Sequence, residues 1–462
     1  MSELSIALNR FGLGARGGTA PPGDPRADLL WQIDRYDPAP PAIAALPGSS
    51  AMIGRYAELL RARRELREQR KADDSAAQGR AKGNRKRADG VRGPLQDAVA
   101  ARLTQAVATE TPFAERMVHF WANHFAVSTD KRTVVGLAGP FEAEAIRPHV
   151  TGRFADMLEA AVTHPAMLLY LDQSRSIGPE SPLGLRVRER GRRQRGLNEN
   201  LGREVLELHT LGAGGGYEQA DVIELAKALT GWTVAGAAAR DITGPTGTRF
   251  AARTHEPGAR TIMGKRYGEG GAGQLRAILA DLAVHPSTAR HVATKLARHF
   301  AGDTPPPALV DALAERFLAT GGDLPALYRV LVERPEAWAA TPRFRSPWEW
   351  LVAGARATGY APPRPRFAYR LTEELGQPVW KPGSPAGYDD LAAGWAGSDA
   401  LMRRVEVAGR IAAEVREVDP RALAPALFPE ALSTATADAI ARAESQSQGL
   451  ALLLVSPEMM RK

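Results

Sequence analysis

Apolar residues recur at three- and four-residue spacing through almost the whole chain, and this periodicity limits the fold more than any other feature. Residues 94–127 show it clearly, with Leu95, Val99, Leu103 and Val107, then Phe113, Met117, Phe120 and Phe125. The same period continues through 141–172, 197–211, 219–231, 274–284, 286–301, 306–319 and 397–416. Start signals sharpen several of these helices. Ser346-Pro347-Trp348-Glu349 combines an N-cap serine, proline at the first helical position and the glutamate of a capping box. The expected class is all-α, a large multi-helix assembly read as one mainly helical domain over 1–462. One stretch departs from the period. Residues 232–267 are rich in Gly and Thr, and the short β-prone pieces Trp232–Val234, Arg249–Ala252 and Thr261–Met263 predict a small strand pair or an ordered loop.

Composition excludes several chemistries. The 462 residues contain no cysteine, so disulfides, thiolate metal sites and cysteine nucleophiles are ruled out. The apolar run 449–455 is far too short to span a bilayer. Asn9 and Arg10 interrupt the N-terminal stretch early, so no signal peptide is expected and the default location is cytoplasmic. The net charge of +8 is unevenly spread. Residues 61–93 carry +7 and residues 186–195 carry +5, leaving −4 on the rest. Residues 66–93 read as a charged flexible linker, 174–196 as an Arg-rich loop, and 361–366 as a hinge before a C-terminal helical region. Neither basic segment is interleaved with aromatics, so no specific nucleic acid is expected.

Chemistry-bearing residues cluster on two predicted helices. In the segment 197–211, Asn200, Arg203, Glu204 and Glu207 share one face, because three- and four-residue steps return to the same side. That face is either solvated, with an Arg203–Glu207 pair, or a site where Glu204 and Glu207 act as acid, base or metal ligands. His209 follows five residues after Glu204, off that face. In the segment 119–125, His119 and His124 are also five apart, about 140° around a regular helix and poor spacing for one ion. His119 does share a face with Glu115 and Asn123. If the two helices pack together, His119 and His124 could join the glutamates around a divalent metal. Trp121, Asn123, Asn200 and the loop residue His255 complete the candidate binding set. The G-x-G-x-x-G at 268–273 is dismissed, because a second helix follows where a dinucleotide fold needs a strand. LGAGGGY, 211–217, lacks the Lys and Ser/Thr of a phosphate loop and reads as a helix C-terminus with glycine in the left-handed position.

Taken in order, HFWANHF, NENLGREVLELHTLGAGGGYEQADVIELAKALTGW, THEPGARTIMGK, HPSTARHVATKLARHF and FRSPWEWLVAGARATG resemble the bacterial domain of unknown function 1800 over essentially the whole chain. The resemblance implies a predominantly helical protein. It also implies a gene neighbour, a secreted protein similar to sulfatases and phosphatases. Many family members carry an export signal; this chain departs from them, so export bound to a signal-bearing partner is the alternative to a cytoplasmic location. Two functions follow as expectations. One is an enzyme, a hydrolase or a polymer- or glycan-modifying activity, with Glu204, Glu207, His209 and Arg203 catalytic. The other is a non-catalytic helical module that binds or chaperones the secreted partner.

Overall fold

The computed structural model describes residues 2–18, 22–58, 65, 91–190, 196–235, 247–339 and 341–462. Among these are 22 α-helices and four three-residue strands, so the class is mainly α as expected. Eight of the helices are α1 (Arg92–Ala108), α2 (Pro112–His124), α3 (Asn200–Glu204), α4 (Gln219–Leu229), α5 (Pro286–Ala301), α6 (Pro347–Thr358), α7 (Pro365–Glu374) and α8 (Ser398–Glu414).

Proline at the first turn starts α2, α5, α6 and α7, where its missing N–H costs nothing. The capping box read at 346–349 is present. Ser346 Oγ accepts from Glu349 N, and Glu349 Oε2 accepts from Ser346 N. Histidine serves as an N-cap twice, in each case before proline. His164 Nδ1 accepts from Ala166 N, and His285 Nδ1 accepts from Ser287 N, both at 3.1 Å. Glycine ends α5 at Gly302 and α6 at Gly359, where φ is 113° and 71°.

The non-helical stretch resolves into two antiparallel hairpins rather than one strand pair. Strand β1 (Trp232–Val234) pairs with β2 (Thr248–Phe250), and β3 (Arg260–Ile262) pairs with β4 (Lys265–Tyr267). The third β-prone piece, 261–263, overruns its strand. Met263 and Gly264 both take positive φ and form the two-residue turn that the twist of a hairpin requires.

Most of the charged linker, 66–90, lies outside the described residues, as do 191–195 of the Arg-rich loop. The rest of that loop is partly helical. Ser181 caps a helix over Pro182–Glu189, a Ser-Pro start signal that outweighs the arginine content. Residues 361–364 are irregular, and α7 then lies along α1. Buried hydrophobic side chains form a cluster that includes residues from Ile6 to Met460. Among the described residues no helix is long and apolar enough to cross a membrane.

Candidate functional site

The segment after α3 does not continue as an α-helix. Val205–His209 form a π-helical turn, and Thr210 breaks it with φ −128° and ψ −93°. Helix C-termini leave carbonyls without partners. Two imidazoles from other helices fill that need. His124 Nε2, at the end of α2, donates to His209 O at 3.1 Å, and His291 Nε2, on α5, donates to Leu208 O at 3.1 Å. Gly212, at φ 84°, keeps the following turn clear of His291, whose Nδ1 would lie 2.8 Å from an added Cβ.

These bonds fix protonation. A carbonyl only accepts, so Nε2 of neutral His124 carries the proton and Nδ1 is a bare acceptor. That Nδ1 is buried and meets no donor among the described residues. Burial, then Lys295, His291 and His209, hold the pKa of His124 well below the usual imidazole value. His209 is fully buried with neither ring nitrogen partnered among the described residues, and burial, then His291 and Lys295, push it down to about 3.

His124 lines a cavity of about 120 Å³. The cavity is walled by α2, by α5, by the start of α6 and by the irregular stretch 377–395. On α2, His119 Nδ1 accepts from the Trp348 indole N–H at 3.2 Å, which leaves the His119 proton on Nε2, 3.6 Å from Glu115 Oε1. Burial, then Arg102, lowers His119 to about 4. Glu115 is buried in a two-pronged pair with Arg147 at 2.5 and 3.0 Å. Burial alone would raise its pKa; Arg147 and His119 outweigh this and hold it at about 2. Asn123 is spent on structure, since its amide both donates to Tyr388 O and accepts from Tyr388 N.

Deeper in the wall, Arg116 pairs with Glu349 Oε1 at 2.5 Å and its Nη1 donates to His299 Nε2 at 3.4 Å. Lys462 also contacts Glu349 Oε1. Glu349 is drawn well below the usual carboxylate range, because Lys462 and Arg116 outweigh its burial. Burial, then Lys462, Arg343 and Arg116, hold His299 well below the usual imidazole value. Arg343 donates to the carbonyls of Arg298, His299 and Asp390. Lys295 pairs with Asp390 at 2.8 Å, and Arg102 pairs with Glu142 at 2.8 Å while stacking over Trp348.

A family model described as "Protein of unknown function (DUF1800)" matches residues 6–461. The chain belongs to this family. No curated protein and no solved structure matches it. Membership in DUF1800 thus brings no activity with it, and the chemistry has to be read from this chain's own residues.

The residues singled out in the DUF1800 sequence are dispersed. His119, Asn123 and His124 reach the cavity, and His124 meets the His209 carbonyl. Trp121 is core, its indole donating to Tyr328 Oη at 2.7 Å. Glu204 and Glu207 are half-buried away from the cavity. Burial, then Glu207, raises Glu204, and Glu207 accepts from Tyr217 Oη. Arg203 pairs with Glu199 at 3.5 Å, not with Glu207, and Asn200 is exposed. His255 clamps the first hairpin, with Nδ1 donating to Thr230 O at 2.8 Å. No group of three or more His, Asp or Glu placed to hold a metal ion occurs among the described residues. The expected donors His119, His124, Glu204 and Glu207 form no such group among the described residues.

Sequence reasoning passed over Arg116, His291, Lys295, His299, Arg343, Glu349 and Lys462. A signal existed for three of them. His291, Lys295 and His299 stand at four-residue steps, so one face of α5 carries all three towards this region.

Proposed function

We propose that the chain is an enzyme of the hydrolase or polymer- and glycan-modifying kind, and that its reacting centre is the cavity beside His124 rather than the Glu204–Glu207 face. The observation that carries this reading is the state of His124: a neutral imidazole, locked by the π-turn carbonyl and left with a free lone pair on Nδ1. A ring fixed in this way offers one acceptor to water or a hydroxyl, as a weak base, since burial holds its pKa well below the usual imidazole value. The other two cavity histidines are less suited, since His119 Nδ1 and His299 Nε2 already accept hydrogen bonds. Trp348, Trp380 and Trp395 line the same cavity; Arg102 lies over the first two, and half-buried Trp395 offers a flat surface for a sugar ring or similar group. A volume of this size admits one small group, so a polymer would present an end or a substituent, not an internal run.

The test is a panel of chromogenic carboxyl, phosphate, sulfate and glycosyl substrates. Turnover in wild type on at least one class should fall by roughly 100-fold or more in a His124→Gln chain that circular dichroism shows to be folded, and should survive Glu204→Gln. Loss in Glu204→Gln alone would move the centre to the outer face.

The partner-binding reading, with the sulfatase-like secreted protein that the resemblance implies, draws support from Met402 and Val405. They are 58% and 46% exposed, one turn apart on α8. Co-purification with that protein, lost in Val405→Glu, would favour it.

A further inference from the structure

We infer that the inner wall of the cavity is a subsite for a small oxyanion, the carboxylate, sulfate or phosphate group of the ligand, received by Arg343 and Arg116. This deepens the proposed function and shares its cavity, but it rests on different residues.

The first ground is a charge imbalance. Two guanidiniums, from Arg116 and Arg343, and the amine of Lys462, whose pKa burial and then Arg116 hold well below the usual lysine value, gather about a single carboxylate, Glu349. Arg116 and Lys462 are 2% and 1% exposed, so water does little to screen the surplus. Guanidiniums cannot shed it by losing a proton. Of the nearby carboxylates, Asp389 also lines the cavity and accepts from Leu391 N, and two others are committed to cations. Glu142 holds Arg102 and the Trp380 indole, and Asp390 holds Lys295.

The second ground is Arg343 itself. It lines the cavity, its hydrogen bonds go to backbone carbonyls alone, and its buried Nε meets no acceptor among the described residues. A cation faced only by neutral oxygens is under-compensated, and a planar donor group suits an oxyanion. His299 adds a third donor. Its Nε2 accepts from Arg116, so the neutral ring keeps its proton on Nδ1.

The experiment titrates the full chain with sodium acetate, sulfate and phosphate at constant ionic strength held with chloride, by calorimetry and by thermal melting. One-to-one saturable binding of at least one anion is expected, weakened about tenfold or more in Arg343→Gln and unchanged in Arg203→Gln. Sulfate or phosphate ahead of acetate assigns a sulfated or phosphorylated ligand; acetate ahead assigns a carboxylate. Arg343 also staples backbone, so wild-type melting is the independent measurement. Where the Arg343→Gln chain does not fold, a wild-type midpoint that rises and saturates with anion concentration at constant ionic strength supports the subsite, whereas an unsaturating rise is general salt stabilisation and overturns it. No saturation by any of the three up to about 50 mM overturns it, as does equal binding by a folded Arg343→Gln. His124→Gln separates the two readings, because it should lose turnover and keep anion binding.

Discussion

Histidine is where residue identity and role diverge most in this chain. The structure gives its nine imidazoles different tasks. His164 and His285 cap helix starts, His124 and His291 cap a π-turn, and His255 ties down a hairpin. The two N-caps were open to reading from the proline that follows each, a cue not taken up from the sequence. The others were not, because their partners are backbone carbonyls or indoles 25 to 229 positions away. Most of these rings are buried in the neutral form, which makes acid the enemy of the fold. A histidine whose pKa is lower folded than unfolded binds a proton more readily when unfolded. Its contribution is therefore complete above pH 6.5 and is lost as pH falls towards about 4 for His119 and about 3 for His209. His119 alone accounts for roughly 3 kcal/mol on this basis. The melting temperature should fall steeply between pH 6.5 and 4, and His119→Gln should flatten the profile. A level wild-type curve would mean that these rings are hydrated.

At the level of elements, periodicity was a sound guide to helices and a poor guide to their ends. The expected helix 197–211 exists only as α3 and its π-turn, from Asn200 to His209. A π-turn shifts the phase of the residues within and after it, so a regular helix misplaces Glu207 relative to Asn200, Arg203 and Glu204. Nothing in VLELH foretells this; the turn is held by imidazoles from α2 and α5. The glycines that follow were read correctly, since Gly212, Gly214 and Gly216 all take positive φ. Gly212→Ala should be costly for two reasons, a strained backbone and a Cβ driven into the His291 ring. We expect a loss of roughly 1–3 kcal/mol in denaturant unfolding. A neutral substitution would show that the His291 cap gives way freely.

For the molecule as a whole, the charge count pointed away from the site. The basic segments carry the net charge, whereas the body that holds the cavity sums to −4, and the positive wall arises from a few buried cations gathered by the fold. Pairs such as Arg116–Glu349 and Trp348–His119 join residues more than 220 positions apart, which no local pattern encodes. The buried cluster includes residues on both sides of 361–366, from which we propose that the hinge is not a domain boundary. Unfolding followed by tryptophan fluorescence and by far-ultraviolet circular dichroism should then give coincident midpoints, whereas two separated transitions would restore the hinge.

The reach of Glu349 has a consequence for biosynthesis. One of its oxygens closes the capping box of α6 and the other meets Lys462, while the opposite wall comes from α2. A chain emerging from the ribosome can build its early helices long before residue 462 appears. The complete cavity wall, with its opposed charges, cannot assemble until synthesis has passed that point, so a nascent chain carries the parts of the site without the site.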